Sequence, residues 1–253
     1  MEIRRGWIAL VPALGLVASV VGAGESEDRD AAEAKSAEAS SGEQSTSPVP
    51  VFVPIDRGAP STRVGGATRG IGSQPLPSID ALVPDQPGYT LNATPQLYWH
   101  LSDATDMRID FVLIGPEGDA VVETTLTGPF AAGVQVVDLG NFGVELESGV
   151  THTWYVSLVP DPDQRSRDRL AGGTVGRIDA SEGLRAELAG TSDDRRAFVL
   201  AGAGLWYDAL AVLSERIETT PRSPARGHRA ALLEQVGLPG PASYDRARLA
   251  GGL

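Results

Sequence analysis

The sequence predicts a mainly β fold with α-helices at its C-terminal end: an antiparallel β-sandwich of the immunoglobulin or fibronectin type, followed by a helical hairpin or a three-helix segment. Three observations predict this fold. Apolar residues alternate with polar ones between residues 96 and 178, turns rich in Gly and Pro separate these runs, and the apolar period becomes helical after Ile178. Strands and helices do not alternate, which argues against a Rossmann-type enzyme.

Residues 1–23 have the order of a secretory signal peptide. Two arginines precede an uncharged apolar stretch over residues 6–24, and small residues at Val21-Gly22-Ala23 close it. We therefore predict cleavage after Ala23 and export to the periplasm or the medium. The alternative is an uncleaved segment that anchors the protein to the inner membrane, because about 18 apolar residues can just span a bilayer.

Residues 24–48 differ from the rest of the chain in composition. The segment is built mainly from Ala, Glu, Ser, Asp and Gly, and it has seven acidic side chains against two basic ones. Because it has no large apolar residue, it cannot bury enough surface to offset its ordering entropy. We predict a disordered acidic linker, with an acidic docking tail as the alternative.

Composition excludes several classes of function. The 253-residue chain has no cysteine, which excludes a disulfide framework, a thiolate metal site and a cysteine nucleophile. Its net charge of −12 argues against nucleic acid and against an anionic membrane surface as partners. We therefore expect no nucleic-acid partner and no membrane contact beyond the signal segment.

The β-sandwich is assigned to residues 49–178, and an Arg- and Gly-rich lead-in over residues 49–74 comes first. A period of two in the apolar residues indicates strands with one buried face. Turns such as Gly115-Pro116-Glu117-Gly118 separate these strands. The predicted strands cover residues 96–101, 107–113, 120–126, 134–139, 152–159 and 174–178.

Residues 179–238 have the apolar period of helices. Asp179 stands three residues before Glu182, as in a capping box, and predicts a short helix that ends near Gly190. Ser192 is followed by two acidic residues and predicts a longer helix that continues to about Thr220.

A third helix is predicted to follow Pro221. Ser223 is the expected N-cap, Pro224 the first helical residue and Gly237 the residue that closes the helix. We predict that residues 239–253 form a frayed tail.

Four short sequence islands occur in a characteristic order. They are Val51-Phe52-Val53-Pro54 with the Arg57–Gly70 segment, Leu82-Val83-Pro84, Trp154-Tyr155-Val156-Ser157-Leu158 with Asp161-Pro162, and Gly204-Leu205-Trp206-Tyr207-Asp208-Ala209. In these islands the chain resembles the family of bacterial exported proteins known as domain of unknown function 928. The family carries no established activity, so the resemblance implies a layout and no chemistry.

The Arg- and Gly-rich segment between residues 57 and 70 is one candidate binding site. Guanidinium groups of Arg57, Arg63 and Arg69, beside exposed backbone amides, could hold a carboxylate or a phosphate. The segment has no P-loop lysine and does not open a helix. The alternative is an extended lead-in that crosses the sandwich and pairs its arginines with acidic residues of the fold.

Metal binding has weak candidates. Asp161, Asp163 and Asp168 lie in one connection and could supply some of the oxygen ligands that calcium needs, but arginines among them favour a salt-bridged turn. The histidines have no ligand spacing within any one element. We therefore expect no metal site and no cofactor. The histidines are His100, His152 and His228.

The segment containing Trp206 and Tyr207 is similar to part of a tetratricopeptide repeat. One such unit cannot form a solenoid, because repeats bury their faces against stacked neighbours. Its aromatic residues either pack against the sandwich or dock on a helical partner, and in the second case they would be partly exposed.

The functional hypothesis is a non-catalytic interaction module of the cell envelope that binds another envelope or secreted protein. It depends on the tether, the sandwich pattern and the absence of a nucleophile elbow or a zinc motif from the sequence. The alternatives are a carbohydrate- or small-anion-binding module that uses Arg63, Arg69 and Tyr98, and an enzyme of unknown type. We expect no catalytic residue.

Overall fold

The computed structural model of the protein describes residues 48–55, 62–65 and 76–251. The predicted signal peptide, nearly all of the predicted linker, Arg57 and Arg69 lie outside these residues. In the described part of the chain, no helix is both long enough and apolar enough to cross a membrane.

Eight strands form two sheets in the described part of the chain. The first sheet has the order β1-β3-β6, and the second has the order β2-β8-β7-β4-β5. The strands are β1 Ile79–Ala81, β2 Gly88–Thr90, β3 Gln96–Leu101, β4 Arg108–Ile114, β5 Ala120–Leu126, β6 Gly133–Asp138, β7 Thr151–Val159 and β8 Arg169–Arg177.

The pairing is antiparallel except between β2 and β8, which are parallel. The expectation of a wholly antiparallel arrangement is therefore wrong for this pair. A parallel pair requires a long crossover connection, and the chain supplies one here because it passes through five other strands between β2 and β8.

The sequence pattern does not predict strands β1 and β2. Each has three residues, which is too short for a period of two to be recognised. Strand β8 begins at Arg169 and not at the predicted Thr174. Glycines in β8 interrupt the alternation of apolar and polar residues by which a strand is predicted. A Cβ atom on Gly172 would lie 2.3 Å from the carbonyl oxygen of Trp154, so close packing of the strand requires glycine there.

Strand β3 is buried on both faces. Leu97, Trp99 and Leu101 are buried as the alternation predicts, but Tyr98 and His100 on the opposite face are buried as well. The reason is a layer of helices over this second face. One hydrophobic core therefore includes residues of both sheets and of the helices.

Five helices follow β8, where the sequence predicts two or three. The additional helices arise from a break in the long predicted helix and from an ordered C-terminal segment. They are α1 Glu182–Gly190, α2 Asp193–Gly202, α3 Trp206–Thr219, α4 Ala225–Gln235 and α5 Pro239–Ala250.

The break between α2 and α3 lies at Gly204, whose φ of +78° an L-residue rarely adopts. The lead-in passes directly beside it: the backbone N–H of Val53 donates to the carbonyl of Ala201, 3.1 Å away. A Cβ atom on Gly204 would lie 2.5 Å from Ile55. Only a glycine at this break leaves room for the lead-in to pass.

The helix caps differ from two predictions. Ser181, and not Asp179, caps α1, because its hydroxyl accepts from the backbone N–H of Leu184 at 3.2 Å. Pro224 is the N-cap of α4 and not its first helical residue, so the helix begins at Ala225, one residue later than predicted. Ser223 lies outside the helix. As predicted, Gly237 closes α4 with a positive φ of 71°.

Residues 239–250 form helix α5, and the expectation of a frayed tail is wrong for them. A buried ion pair explains the order of this segment. Asp245 of α5 is fully buried and accepts two hydrogen bonds of 2.7 Å from the guanidinium group of Arg229 in α4. Arg229 and Asp245 lie far enough apart in sequence that a local pattern does not reveal their pairing.

Candidate functional site: a cleft beside helix α3

Helix α3 is positioned by its two N-terminal aromatic residues. The indole N–H of Trp206 donates to the carbonyl of Leu82 at 2.7 Å. The hydroxyl of Tyr207 donates to the carbonyl of Thr174 at 2.7 Å and accepts from the indole N–H of Trp154 at 2.9 Å. The buried polar groups of Trp154, Trp206 and Tyr207 thus each have a partner, as stable packing favours.

Both aromatic side chains are buried: Trp206 is 0% exposed and Tyr207 1%. They pack inside the protein and cannot dock on a partner in this structure, so the hypothesis of a docking surface at these residues is wrong. Burial also raises the pKa of Tyr207 well above its ordinary value.

The other side of α3 lines an open cleft of about 680 Å³. Its floor is formed by the helix-covered face of the three-stranded sheet, and its end by α1, α2 and the loop after β2. The residues from α3 are Asp208, Ala211, Val212, Glu215 and Glu218, and the others are Leu91, Asn92, Gln96, Tyr98, Val136, Leu188, Arg196 and Leu200.

Asp208 lies at the closed end of the cleft. Its carboxylate accepts from the backbone N–H of Leu91 at 3.0 Å and so connects α3 to the loop after β2. Burial raises the pKa of this carboxyl, although the hydrogen bonds from Leu91 and Thr90 and the charge of Arg196 oppose the shift. The contacts give Asp208 a structural role.

Tyr98 lies on the floor of the cleft. Its hydroxyl donates to the side-chain oxygen of Gln96 at 2.5 Å. Burial raises the pKa of Tyr98 to about 12, against the opposing effect of its hydrogen bond with Ser214. The tyrosine therefore stays neutral at physiological pH and offers a polar but uncharged floor.

Glu215 and Glu218 give the cleft a negative rim. Both are exposed, and neither forms an ion pair within the part of the chain that the structure describes. They stand three residues apart, on one side of α3. A ligand with positive charge would therefore meet unpaired carboxylates here.

Two smaller spaces adjoin the cleft beside the C-terminal half of α3, one towards α2 and one towards α4. The space towards α2, of about 380 Å³, shares the lining residues Arg196, Val212 and Glu215 with the cleft, and the space towards α4, of about 240 Å³, shares Tyr98, Val136 and Glu218. Arg229, which is paired with Asp245, also lines the 240 Å³ space. We refer to the cleft and these two adjoining spaces together as the groove.

The family model described as "Domain of Unknown Function (DUF928)" matches residues 64–245. The chain belongs to this family. The part matched to DUF928 contains all eight strands, helices α1 to α4 and the whole lining of the cleft.

The islands that carry the resemblance to DUF928 meet in the structure. Trp154 of the third island and Tyr207 of the fourth share a hydrogen bond, and Leu82 of the second accepts from Trp206 of the fourth. Phe52 of the first island lies edge-on to Trp206, with ring centroids 4.9 Å apart. The islands thus form the contact between α3 and the strands.

Among curated proteins, no significant match is found. Among solved structures, the chain is similar to the fn3 domain of human collagen alpha-1(XX) chain, at 14% sequence identity and a TM-score of 0.26. That match covers 46% of this chain and 93% of the fn3 domain. A TM-score this low carries no argument about the fold.

The structure places Arg63 away from the cleft. Its guanidinium group donates to the carbonyl of Val236 at 2.5 Å and forms an ion pair of 2.8 Å with Asp85. These contacts match the alternative in which the lead-in crosses the fold and pairs its arginines with acidic residues. The other two arginines of the predicted anion site lie outside the described residues.

The connection after β7 is a salt-bridged polar turn. Asp161 accepts from the backbone N–H of Asp163 at 3.0 Å, and Asp168 pairs with Arg165 at 2.7 Å. In the described parts of the chain, no three His, Asp or Glu side chains converge as metal ligands would. The three histidines lie on three separate elements: His100 on β3, His152 on β7 and His228 on α4.

Of the residues that line the cleft, only Tyr98 is among the candidates predicted from the sequence. A signal was present, since Asp208, Ala211, Val212, Glu215 and Glu218 recur at helical spacing on one side of α3. A polar helix face also occurs on any solvated helix, and only the tertiary structure places a sheet opposite this one.

Proposed function

We propose that the protein is an exported, non-catalytic interaction module that binds a segment of another envelope or secreted protein in the α3 cleft. The observation that carries the proposal is the groove along α3, with apolar walls and unpaired carboxylates at its rim. Export is supported by the signal-like order of residues 1–23.

The dimensions of the groove favour a chain segment over a small molecule. The residues of α3 that line the groove run from Asp208 to Thr219 and span about 16 Å along the helix axis. An extended segment of about five residues spans the same length at about 3.3 Å per residue. A small ligand would fill one of the connected spaces and leave the others open.

The charge of the groove argues against the small-anion alternative. In the 680 Å³ cleft, Glu215, Glu218 and Asp208 outnumber Arg196. The arginines that line the two adjoining spaces already have acidic partners: Arg216 pairs with Asp194, and Arg226 and Arg229 pair with Asp245. Arg63 has three partners elsewhere. An anionic ligand would meet like charge at the rim. The same charge attracts a basic segment.

We also infer that the two sheets form a sandwich of the immunoglobulin or fibronectin type. Buried residues alternate along β4 and β7, and the core cluster contains residues of both sheets. The parallel pairing of β2 with β8 is a departure from the usual antiparallel pattern of such sandwiches.

Site-specific photo-cross-linking tests the proposed function. We expect a cross-linking amino acid at Val136, in the cleft, to capture a discrete partner in the envelope fraction, and the same amino acid at Val121, on β5, to capture none. The adduct is identified by mass spectrometry. Equal labelling from both positions would contradict the proposal.

Charge reversal provides a second, independent arm. The double variant Glu215→Lys/Glu218→Lys should lose the cross-link of the Val136 probe. Glu117→Lys/Glu123→Lys makes the same change in net charge at exposed positions in β5 and in the turn before it, and should retain the cross-link. A cross-link that survives both double variants would place the partner outside the cleft.

A further inference from the structure

We propose that strand β6 binds the partner segment as an added β-strand whose cleft-facing side chains are basic. The inference rests on the proposed function and deepens it, because it names the secondary structure and the charge of the partner. Addition of a strand to an exposed sheet edge is a general mode of peptide recognition, in which backbone hydrogen bonds give affinity and pockets for alternate side chains give specificity.

The first step concerns which backbone groups of β3 point towards β1. The carbonyl of Tyr98 accepts from the backbone N–H of Leu82 at 2.9 Å, and the N–H of Ser102 donates to Ser78 at 3.0 Å. In an antiparallel sheet, the backbone groups of successive residues point to opposite sides. The even-numbered residues of β3 therefore face β1, and the odd-numbered residues face β6.

The second step transfers this alternation to β6 through the register. Trp99 pairs with Gln135 and Leu97 pairs with Val137, so these residues of β6 bond to β3. The N–H and C=O groups of Val134 and Val136 must then point outward. Within the described residues, these outward groups have no backbone partner.

One end of this edge is already covered, because the hydroxyl of Tyr244 donates to the outward carbonyl of Ala132 at 2.8 Å. The open part of the edge therefore begins at Val134. An exposed edge of this kind presents a template for another strand.

The third step concerns the side chains. Val136 pairs with Tyr98, so both project from the face of the sheet that α3 covers. Val136 is 48% exposed and lines the cleft. A strand added beside it would direct every second side chain into the groove, towards the rim that carries Glu215 and Glu218.

The charge of the groove decides between possible occupants. Basic side chains on the added strand would meet two unpaired carboxylates, which is favourable. A second copy of β6 would bring none, since its sequence is Gly-Val-Gln-Val-Val-Asp. The acidic segment over residues 24–48 would bring like charge. The occupant is therefore a basic, extended segment of another protein.

A synthetic peptide of about ten residues, in which Thr and Lys alternate, tests the inference on the purified protein. We expect it to bind, and to shift the amide resonances of Val134 and Val136. A control peptide with the same composition but with Thr and Lys in adjacent pairs should bind about tenfold more weakly or worse. Equal affinity for the two peptides would mean that binding depends only on the net charge of the peptide, and would overturn the inference.

N-methylation of the alternating peptide tests strand addition without any change in the protein. One series is methylated at every Lys and the other at every Thr. Loss of binding in the Lys series alone indicates an antiparallel added strand, and loss in the Thr series alone a parallel one. Either result supports the inference, whereas equal binding of both series overturns it.

A protein variant separates the two proposals. Val136→Pro removes an outward N–H but no bond to β3, so it should abolish binding of the alternating peptide while the far-UV circular dichroism is retained. If Glu215→Lys/Glu218→Lys loses the cross-linked partner but N-methylation has no effect, strand addition fails and the proposed function stands. If the cross-link also survives the charge reversal, both fail.

Discussion

Buried polar side chains determine, at the scale of single residues, how the helices lie on the three-stranded sheet. His100 is a buried example: it is 4% exposed, and neither ring nitrogen has a hydrogen-bond partner among the described residues. Its ring lies edge-on to that of Tyr244, with centroids 5.1 Å apart. The histidine thus behaves as an aromatic packing residue that cannot gain a proton cheaply.

This burial predicts a dependence of stability on pH. Burial lowers the pKa of His100, and the nearby Asp245 only partly opposes the shift. Below a pH of about 6.5 the unfolded chain therefore binds a proton at this position more readily than the folded chain does. The free energy of unfolding should therefore fall as the pH falls from 7.5 to 5.5, by at most about 1.4 kcal/mol per pH unit for each such histidine.

The variant His100→Phe isolates this contribution, because it keeps an aromatic ring against Tyr244 and cannot bind a proton. We expect urea denaturation between pH 7.5 and 5.5 to give a shallower decline in stability than in the parent protein. His152 and His228, whose pKa values burial also lowers, should account for the remaining slope. An unchanged slope in His100→Phe would contradict the assignment.

At the scale of elements, the turn between α2 and α3 controls where the lead-in lies. Gly204→Ala would put a Cβ atom on a residue with a φ of +78° and within 2.9 Å of the carbonyl oxygen of Val53. We expect a loss of more than about 1 kcal/mol in the free energy of unfolding, measured by chemical denaturation.

Gly202 is the matched control for this substitution. It is the last residue of α2, and a Cβ atom there would meet no atom within 4 Å. Gly202→Ala should leave stability unchanged or raise it by up to about 1 kcal/mol. Equal losses in the two variants would mean that the left-handed turn is not the cause.

At the scale of the whole molecule, helix α5 is held against α4 by a buried charge pair. Asp245→Leu would leave the guanidinium group of Arg229, which is 5% exposed in its side chain, without its charged partner. Breaking a buried pair in this way costs about 3–5 kcal/mol. We expect a large fall in the midpoint of urea denaturation.

The double variant Arg229→Met/Asp245→Leu distinguishes the pair from simple loss of packing. Replacing both charges of a buried pair with apolar residues of similar size is often nearly neutral. The double variant should therefore recover part of the stability, the remaining loss coming from Arg226, which lies 3.5 Å from Asp245 and also loses its partner. A double variant that is as unstable as Asp245→Leu would show that the charges themselves are required.

Most strands and the start of the helical part were predictable from the sequence. The predicted runs over residues 107–113 and 120–126 show a period of two that depends only on the residues themselves. Strand β4 lies one residue later than its prediction, at Arg108–Ile114, and β5 occupies the predicted range. The break at Gly204 and helix α5 were not predictable, because each depends on a contact with a segment far away in the chain. The break at Gly204 leaves room for the lead-in, and helix α5 is held by the ion pair of its Asp245 with Arg229.

The candidate site shows the same division. The sequence by itself determined the periods of the strands and helices, the acidic character and the resemblance to the family, because these are properties of local order and composition. Only the tertiary structure decided that Trp206 and Tyr207 are buried, that the polar side of α3 faces a sheet, and that β6 has an open edge. Each of these depends on which surfaces come into contact in the folded chain. Trp154 and Tyr207, for example, share a hydrogen bond although they are 53 residues apart in sequence.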